Sequence, residues 1–481
     1  MREFCQQALD AAKALGASYA DVRIVRRRNE AIETRNGAVD RLSSSRDEGF
    51  GIRAIVNGAW GFASSSTISE EEGRRVAELA VRIALASASV SGAPVTLAPA
   101  DVADGRFLMP CRRDPFDVPL EEKISLLLDA DRLMRANPGV GIAEGSMEFY
   151  RTETVFASTE GSYIEQEKTE SGAGIVATAI RNGDVQRRSF PCSMGGDFGA
   201  AGYEFVEDWA LTDQAERIAA EAVALLDAPV CPSGAMDIVL EGSMLALQVH
   251  ESCGHPIELD RVFGSEASFA GTSFLTPEKL GEFQYGSEIV SIAADATAPG
   301  GLGSFFYDDE GVAAERTDIV MEGVFRGYLS SRETAARLGL KASGGAMRAD
   351  GWNRIPIVRM TNINLEPGDW NLEEIIEDTA NGLYMMDVKS WSIDDKRLNF
   401  QFGQEQAYEI RDGQLGQVFR NPTYAGITYE FWRSCDAIAG DDDWHLWGIP
   451  NCGKGEPMQV GHVGHGVAPA RFRNVQVGVI K

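Results

Sequence analysis

Apolar residues recur at helical spacing from Phe4 to Leu15 (Phe4, Ala8, Ala11, Ala12, Leu15), and the run stops at Gly16, a residue suited to a helix C-terminus. From Tyr19 to Ser65 the period shortens to that of strands. Asp21–Val25 alternates, and the segments Gly51–Val56 and Ala59–Ala63 flank Asn57-Gly58. That pair and Asn36-Gly37 predict hairpin turns. Ser66 or Thr67 is the expected cap of a helix from Ser69 to about Ala86, with Glu70, Glu71 and Glu72 favourably placed in its first turn. Ser87–Pro115, rich in Ser, Ala, Gly and Pro, reads as a linker. A helix over Leu120–Arg135 follows, then strands from Gly145 to Phe198 with turns at Glu160-Gly161 and Asn182-Gly183, then one long helix over Tyr203–Leu226.

Pro229, Pro232, Ser233 and Gly234 mark the expected boundary between an N-terminal domain, 1–228, and a C-terminal β-rich domain, 233–481. Past it, Gly234–Leu240 predicts a strand that leads into the helical run Met244–Val249. Short helices are expected near Glu333–Leu338 and Leu372–Asp378. Alternating aromatic and polar residues at Leu398–Gly403 and Ala407–Ile410, with a turn at Arg411–Gln414, predict strands. The fold class is α+β: an N-terminal α/β domain with an antiparallel sheet and helices, and a mainly β, barrel-like C-terminal domain that carries the apolar helix.

Composition narrows the function classes. The 481 residues carry a formal net charge of −27, which argues against nucleic acid or an anionic membrane as partner, since phosphate binding needs a basic face. No stretch approaches a transmembrane span, and Met1–Phe4 lacks a signal peptide's apolar core. Seven scattered cysteines (Cys5, Cys111, Cys192, Cys231, Cys253, Cys435, Cys452) read as reduced thiols in a cytoplasmic protein, of which one or two could bind a metal.

The chemistry concentrates where the apolar helix ends, at His250-Glu251-Ser252-Cys253-Gly254-His255. Neutral imidazole is the commonest zinc ligand, and an adjacent Glu can take a proton from a water that the metal polarises. Five histidines in the whole chain make an accidental H-E-x-x-x-H rare. Histidines five apart diverge by roughly 140° around an ideal helix, so the helix has to be distorted. Gly254 loosens the backbone, and the ring of Pro256 would clash with the Ser252 carbonyl and bias His255 away from the α region. A turn with i→i+5 character would return both rings to one side.

A catalytic zinc takes three protein ligands and keeps one position open. On chemistry alone the third ligand stays open. Glu258 and Asp260 follow the motif closely, and Cys253 lies inside it, where it reads as structural. His462 and His465 sit in a glycine-flanked stretch, Gly461–Gly466, that reads as a flexible loop. Cys452 lies in Asn451-Cys452-Gly453-Lys454-Gly455, with Lys454 placed to favour the thiolate.

The hexapeptide at 250–255 together with 451–455 resembles the signature of the TldD/PmbA family of metallopeptidases. Asp308-Asp309-Glu310-Gly311-Val312, Arg359-Met360-Thr361-Asn362 and the strand pair Gly51–Ser66 are similar as well, so the resemblance spans nearly the whole chain. It implies Zn2+ held by His250, His255 and Cys452, with Glu251 as the catalytic base. It also implies subunits that pair around an enclosed cavity, as a homodimer or as a heterodimer with a PmbA-like paralogue. Because PmbA-like subunits lack H-E-x-x-x-H, this chain resembles the active type. The resemblance further implies hydrolysis of small or unfolded peptides, including trimming of leader peptides, and the C-terminal strands could hold such a peptide as an added β-strand. Two other readings remain: a non-catalytic scaffold or partner subunit with a structural zinc, and a mononuclear iron enzyme using the two histidines and Glu258.

Overall fold

Asn36 and Gly37 take φ of 49° and 84°, and Asn57 and Gly58 take 50° and 74°, so both Asn-Gly pairs turn their hairpins in the left-handed region that these residues tolerate. The structure, a computed structural model, describes residues 1–90 and 92–478; Ser91, inside the expected linker, and 479–481, at the end of the expected C-terminal domain, lie outside the described residues.

The two turns join β1 (Tyr19–Arg35), β2 (Ala38–Val56) and β3 (Ala59–Ser65). With β4 (Asp104–Leu108), β5 (Val140–Ser158) and β6 (Tyr163–Arg181) they form a sheet in the order β3-β2-β1-β5-β6-β4, to which β7 (Asp184–Phe190) and β8 (Asp197–Gly199) add through β6. Period-two alternation decides what each face meets. Val22, Ile24 and Ile32 of β1 enter the apolar clusters beneath the helices α1 (Arg2–Ala14), α2 (Glu70–Ala88), α3 (Leu120–Arg135), α4 (Glu204–Asp208) and α5 (Leu211–Leu225). Arg23 and Arg27 point the other way, toward the C-terminal half, where Arg23 donates to the carbonyls of Gly351 and Arg354.

Three local expectations change. The α2 cap is Ser69, whose side chain accepts from the Glu72 amide, and not Ser66 or Thr67. The expected linker contains β4, which pairs in parallel with β6 and is half-buried at alternate residues, a signal too short to separate from loop. The expected long helix over Tyr203–Leu226 is broken between α4 and α5, where Ala210 takes φ 45°. There Trp209 is drawn onto Trp447 and His445 of the C-terminal half, so tertiary packing overrides helical propensity.

After residue 233 a closed five-stranded barrel forms. Strands Asn381–Ile393, β9 (Gly234–Leu240), Ala470–Val477, Thr423–Ile427 and Asn399–Arg411 pair in that order, and the last returns to the first. Side chains of one barrel face (Ile238, Leu240, Leu383, Met385, Phe402, Phe472) share a core with α6 (Gly242–Val249), the helix that runs into the histidine motif. Buried ion pairs join the two halves: Arg53 bridges Asp21 (2.7 Å) and Glu310 (3.2 Å), and Arg188 bridges Asp387 (2.7 Å) and Glu405 (2.9 Å). Among the described residues no helix is long and apolar enough to cross a membrane.

Candidate metal centre

Glu241 caps α6, and the helix widens into a π-turn at His250–Gly254 and then tightens into a 3₁₀ turn at His255–Ile257. The distortion that the five-residue spacing demands is therefore present, and the two imidazole rings lie edge to face with centroids 4.9 Å apart. Side chains satisfy the groups that the wider turn releases. The Ser252 carbonyl accepts from Tyr285 Oη at 3.0 Å, the Ser252 hydroxyl donates to the Gln248 carbonyl, and Trp432 Nε1 donates to Ser252 Oγ at 2.9 Å. Gly254 is required for room as much as for freedom, since a Cβ there would lie 2.1 Å from Met360 Sδ. Pro256 does not push His255 out of the α region: its φ and ψ are −66° and −41°. The bias is overridden because His255 is fixed at both ring nitrogens, by Glu258 Oε2 (3.0 Å) and Cys452 Sγ (3.7 Å).

His462 and His465 do not lie on a flexible loop. Cys452 is on the strand His445–Lys454, which pairs with Gln459–Val467, the strand that carries both histidines. The surrounding glycines mark close approaches: a Cβ at Gly464 would lie 2.2 Å from Asn362 Oδ1, and one at Gly466 1.8 Å from the Trp444 ring. The register shifts between Ile449 and Cys452, a bulge of the kind that re-aims a side chain next to a site.

One donor atom from each of His250, His255 and Cys452 falls within 4.8 Å of the others, and among the described residues this is the grouping of three or more that could hold a metal. Zinc–sulfur and zinc–nitrogen bonds of about 2.3 and 2.0–2.1 Å at a tetrahedral angle separate the two donors by about 3.6 Å. The 3.7 Å between Cys452 Sγ and His255 Nε2 fits that geometry. The ring nitrogens facing away are also engaged. His250 Nδ1 lies 2.8 Å from His465 Nε2, and His465 Nδ1 lies 3.3 Å from the Ile363 carbonyl; His255 Nδ1 meets Glu258. This leaves Nε2 of both rings to face an ion and fixes their tautomers.

Burial pushes His250 down to about 4 and holds His255 and His465 well below the usual imidazole range, so the rings stay neutral, the metal-binding form. For Cys452 burial acts upward, but the Arg359 guanidinium and His255 outweigh it and lower the thiol below its ordinary value. The expected helper Lys454 is engaged elsewhere, with Asp260 Oδ1 at 2.7 Å and the Val358 carbonyl at 2.6 Å. Arg359 takes its place, donating to the Cys452 carbonyl at 2.5 Å. Cys253 is fully buried, with its thiol pushed up to about 12 by that burial, as befits a structural residue.

The remaining candidates are sorted by position. Glu258 and Asp260 lie outside the donor group and hold His255 and Lys454 in place. His462 faces the N-terminal sheet, bonded to Glu170 at 2.8 Å and packed against Tyr150. Glu251, beside the first histidine, places Oε2 2.5 Å from Arg397 Nη1. Arg397 sits in a turn with φ 61°, and no local motif announces it. Arg359, by contrast, falls in one of the stretches that carry the family resemblance.

Residues 233–479 match the PmbA/TldA metallopeptidase C-terminal domain, 20–84 match domain 1 and 113–226 match the central domain. A metalloprotease of Methanothermobacter thermautotrophicus is 33% identical over 96% of this chain and 95% of its own, and one of Methanocaldococcus jannaschii is 32% identical over 93% and 94%. A zinc metalloprotease TldD homolog of Saccharolobus solfataricus is 25% identical over 89% and 90%. In fold, a putative modulator of DNA gyrase from Thermotoga maritima is similar with a TM-score of 0.79 at 18% identity, over 99% of this chain and 100% of that one. TldE from Thermococcus kodakarensis is similar with a TM-score of 0.72 at 16% identity, over 98% and 99%. With every one of the three domain types matched and relatives above 30% identity over nearly its full length, the chain belongs to the PmbA/TldA metallopeptidase family.

Proposed function

We propose that this protein is a zinc-dependent peptidase, with His250, His255 and Cys452 as the metal ligands and Glu251 as the general base. The observation that carries the reading is the convergence of two neutral imidazoles and a thiol of lowered pKa on one point, next to a carboxylate. A His-His-Cys donor set suits zinc, which takes nitrogen and sulfur donors in a tetrahedral site with one corner open. It suits a mononuclear iron oxygenase less well: those sites use a carboxylate third ligand, and Glu258 is committed to His255.

Bound there, zinc supplies Lewis acidity that polarises a peptide carbonyl and makes a neighbouring water easier to deprotonate. Glu251 accepts the proton of the attacking water and returns it to the leaving amine. Arg397 donates to Oε2 of Glu251, which orients the carboxylate and leaves Oε1 for that water. The substrates are small or unfolded peptides, leader peptides among them. The ligands and base belong to a C-terminal unit, 233–481, and 1–228 forms the other wall of the approach. Subunits pair with a second copy or with a PmbA-like paralogue. All seven cysteines are free thiols, which fits the reducing cytoplasm.

The scaffold reading takes Glu251 as an ordinary ion-pair acid, and its bond to Arg397 is the observation in that reading's favour. Glu251→Gln separates the two. A peptidase loses hydrolysis of unfolded peptides while zinc stays near one per chain; a scaffold shows no hydrolysis in the parent either.

A further inference from the structure

Beside the metal centre a cavity of about 590 Å³ opens between the β1/β5/β6 face of the N-terminal sheet and the C-terminal half. Pro450, Asn451 and Arg359 line it on the side of Cys452. The acids on its wall already have partners from the protein, Glu167 by longer ion pairs to Arg151 (3.6 Å) and Arg106 (3.8 Å) and the others more closely. Asp309 pairs with Arg23 and Asp350 with Arg27, both at 2.8 Å; Glu170 takes Lys168 and His462; Asp47 accepts from Trp352 Nε1; and the Asp308 carboxylate takes the amides of Glu310, Val312 and Met347.

Three of the cations are not balanced in this way; one, Arg28, lies instead over the Phe116 ring at 4.2 Å. Among the described residues the other two, Arg348 and Arg359, face each other and likewise have no carboxylate within 4.0 Å. Arg359 is 2% exposed; it spends Nη1 and Nη2 on the carbonyls of Gln459 and Cys452, and its buried Nε has no acceptor. Arg348 engages the Met360 carbonyl through Nη1, which leaves its remaining N–H edge to the cavity. Burial and the facing Arg359 push its guanidinium down to about 10, still cationic at neutral pH. The two facing guanidinium groups repel each other with no carboxylate in contact, and an anion seated between them would relieve that repulsion.

We propose that Arg348 and Arg359 receive a substrate carboxylate, making this cavity a subsite for acidic peptides next to Cys452. The inference rests on the peptidase reading. The carboxylate is either an Asp or Glu side chain or the C-terminus of the peptide; both present the same fork of oxygens to a guanidinium edge.

The test uses the zinc-loaded full chain and matched peptide pairs, Glu against Gln at each position flanking the scissile bond, and free acid against amide at the C-terminus. A charge-assisted pair of this kind favours the acid about tenfold or more in kcat/KM. The pair that shows the preference identifies the source of the carboxylate. In Arg348→Met the ratio collapses to about 1, and Arg348→Lys, which keeps the charge and guards against a folding artefact, retains part of it. Acid and neutral peptides within twofold of each other throughout, or a ratio that survives in Arg348→Met, overturns the proposal. If the parent hydrolyses none of these peptides, the peptidase reading is what fails. Calorimetric binding of the same pairs to the zinc-loaded chain then decides the subsite: tighter binding of the acid that is lost in Arg348→Met supports it, and equal binding overturns it.

Discussion

Replacing His465 by Ala probes how the centre is held without touching a proposed ligand. The ring is fully buried and relays the Nδ1 side of His250 to the Ile363 carbonyl across contacts of 2.8 and 3.3 Å. Its removal leaves the buried His250 Nδ1–H without its partner at a cost of about 1–3 kcal/mol, and loss of such an outer partner weakens metal sites about 10–100-fold. A hundredfold change is about 2.7 kcal/mol, so the two figures agree. The assay is a zinc competition titration against a chromophoric chelator, with His462→Ala as the control. That histidine lies three residues away, on the same strand, and its ring is bonded to Glu170. His465→Ala should weaken zinc at least tenfold, and His462→Ala by less than twofold. Equal affinities for parent and His465→Ala would refute the reasoning.

Further outcomes follow from other parts of the site. Glu251→Gln should lower kcat by about 10²–10⁴-fold with zinc content unchanged, read by peptide hydrolysis and elemental analysis. Gly254→Ala places a Cβ 2.1 Å from Met360 Sδ, so overpacking should cost about 1–3 kcal/mol in denaturant unfolding, and Met360→Ala in the same chain should recover part of it. Ser252→Ala leaves Trp432 Nε1, inside the aromatic core, without its acceptor, and should cost about 1–3 kcal/mol. Stripping the metal with a chelator should lower Tm and abolish hydrolysis, and added zinc should restore both.

The periodic and turn signals carried much of the fold. Asn-Gly pairs placed hairpins, and the span Leu120–Arg135 has the same limits in sequence and structure because nothing distant competes with its amphipathic pattern. The π-turn was legible for a similar reason: a five-residue histidine spacing beside Gly254 and Pro256 has few backbone solutions. What stayed hidden depends on contacts distant in sequence. The break at Ala210 answers to Trp447 and His445, and Arg397 reaches Glu251 across 146 residues. The glycines at 464 and 466 look like flexibility in one dimension and prove to be close packing in three, which is why the strand bearing His462 and His465 reads as loop.

The account depends most on one ion shared by two imidazoles and the Cys452 sulfur. Metal K-edge absorption on the purified zinc-loaded chain measures that coordination directly. The account predicts one sulfur at about 2.3 Å and two imidazole nitrogens at about 2.0–2.1 Å, with the sulfur contribution lost in Cys452→Ala. A spectrum without sulfur, or one unchanged in that variant, would contradict it.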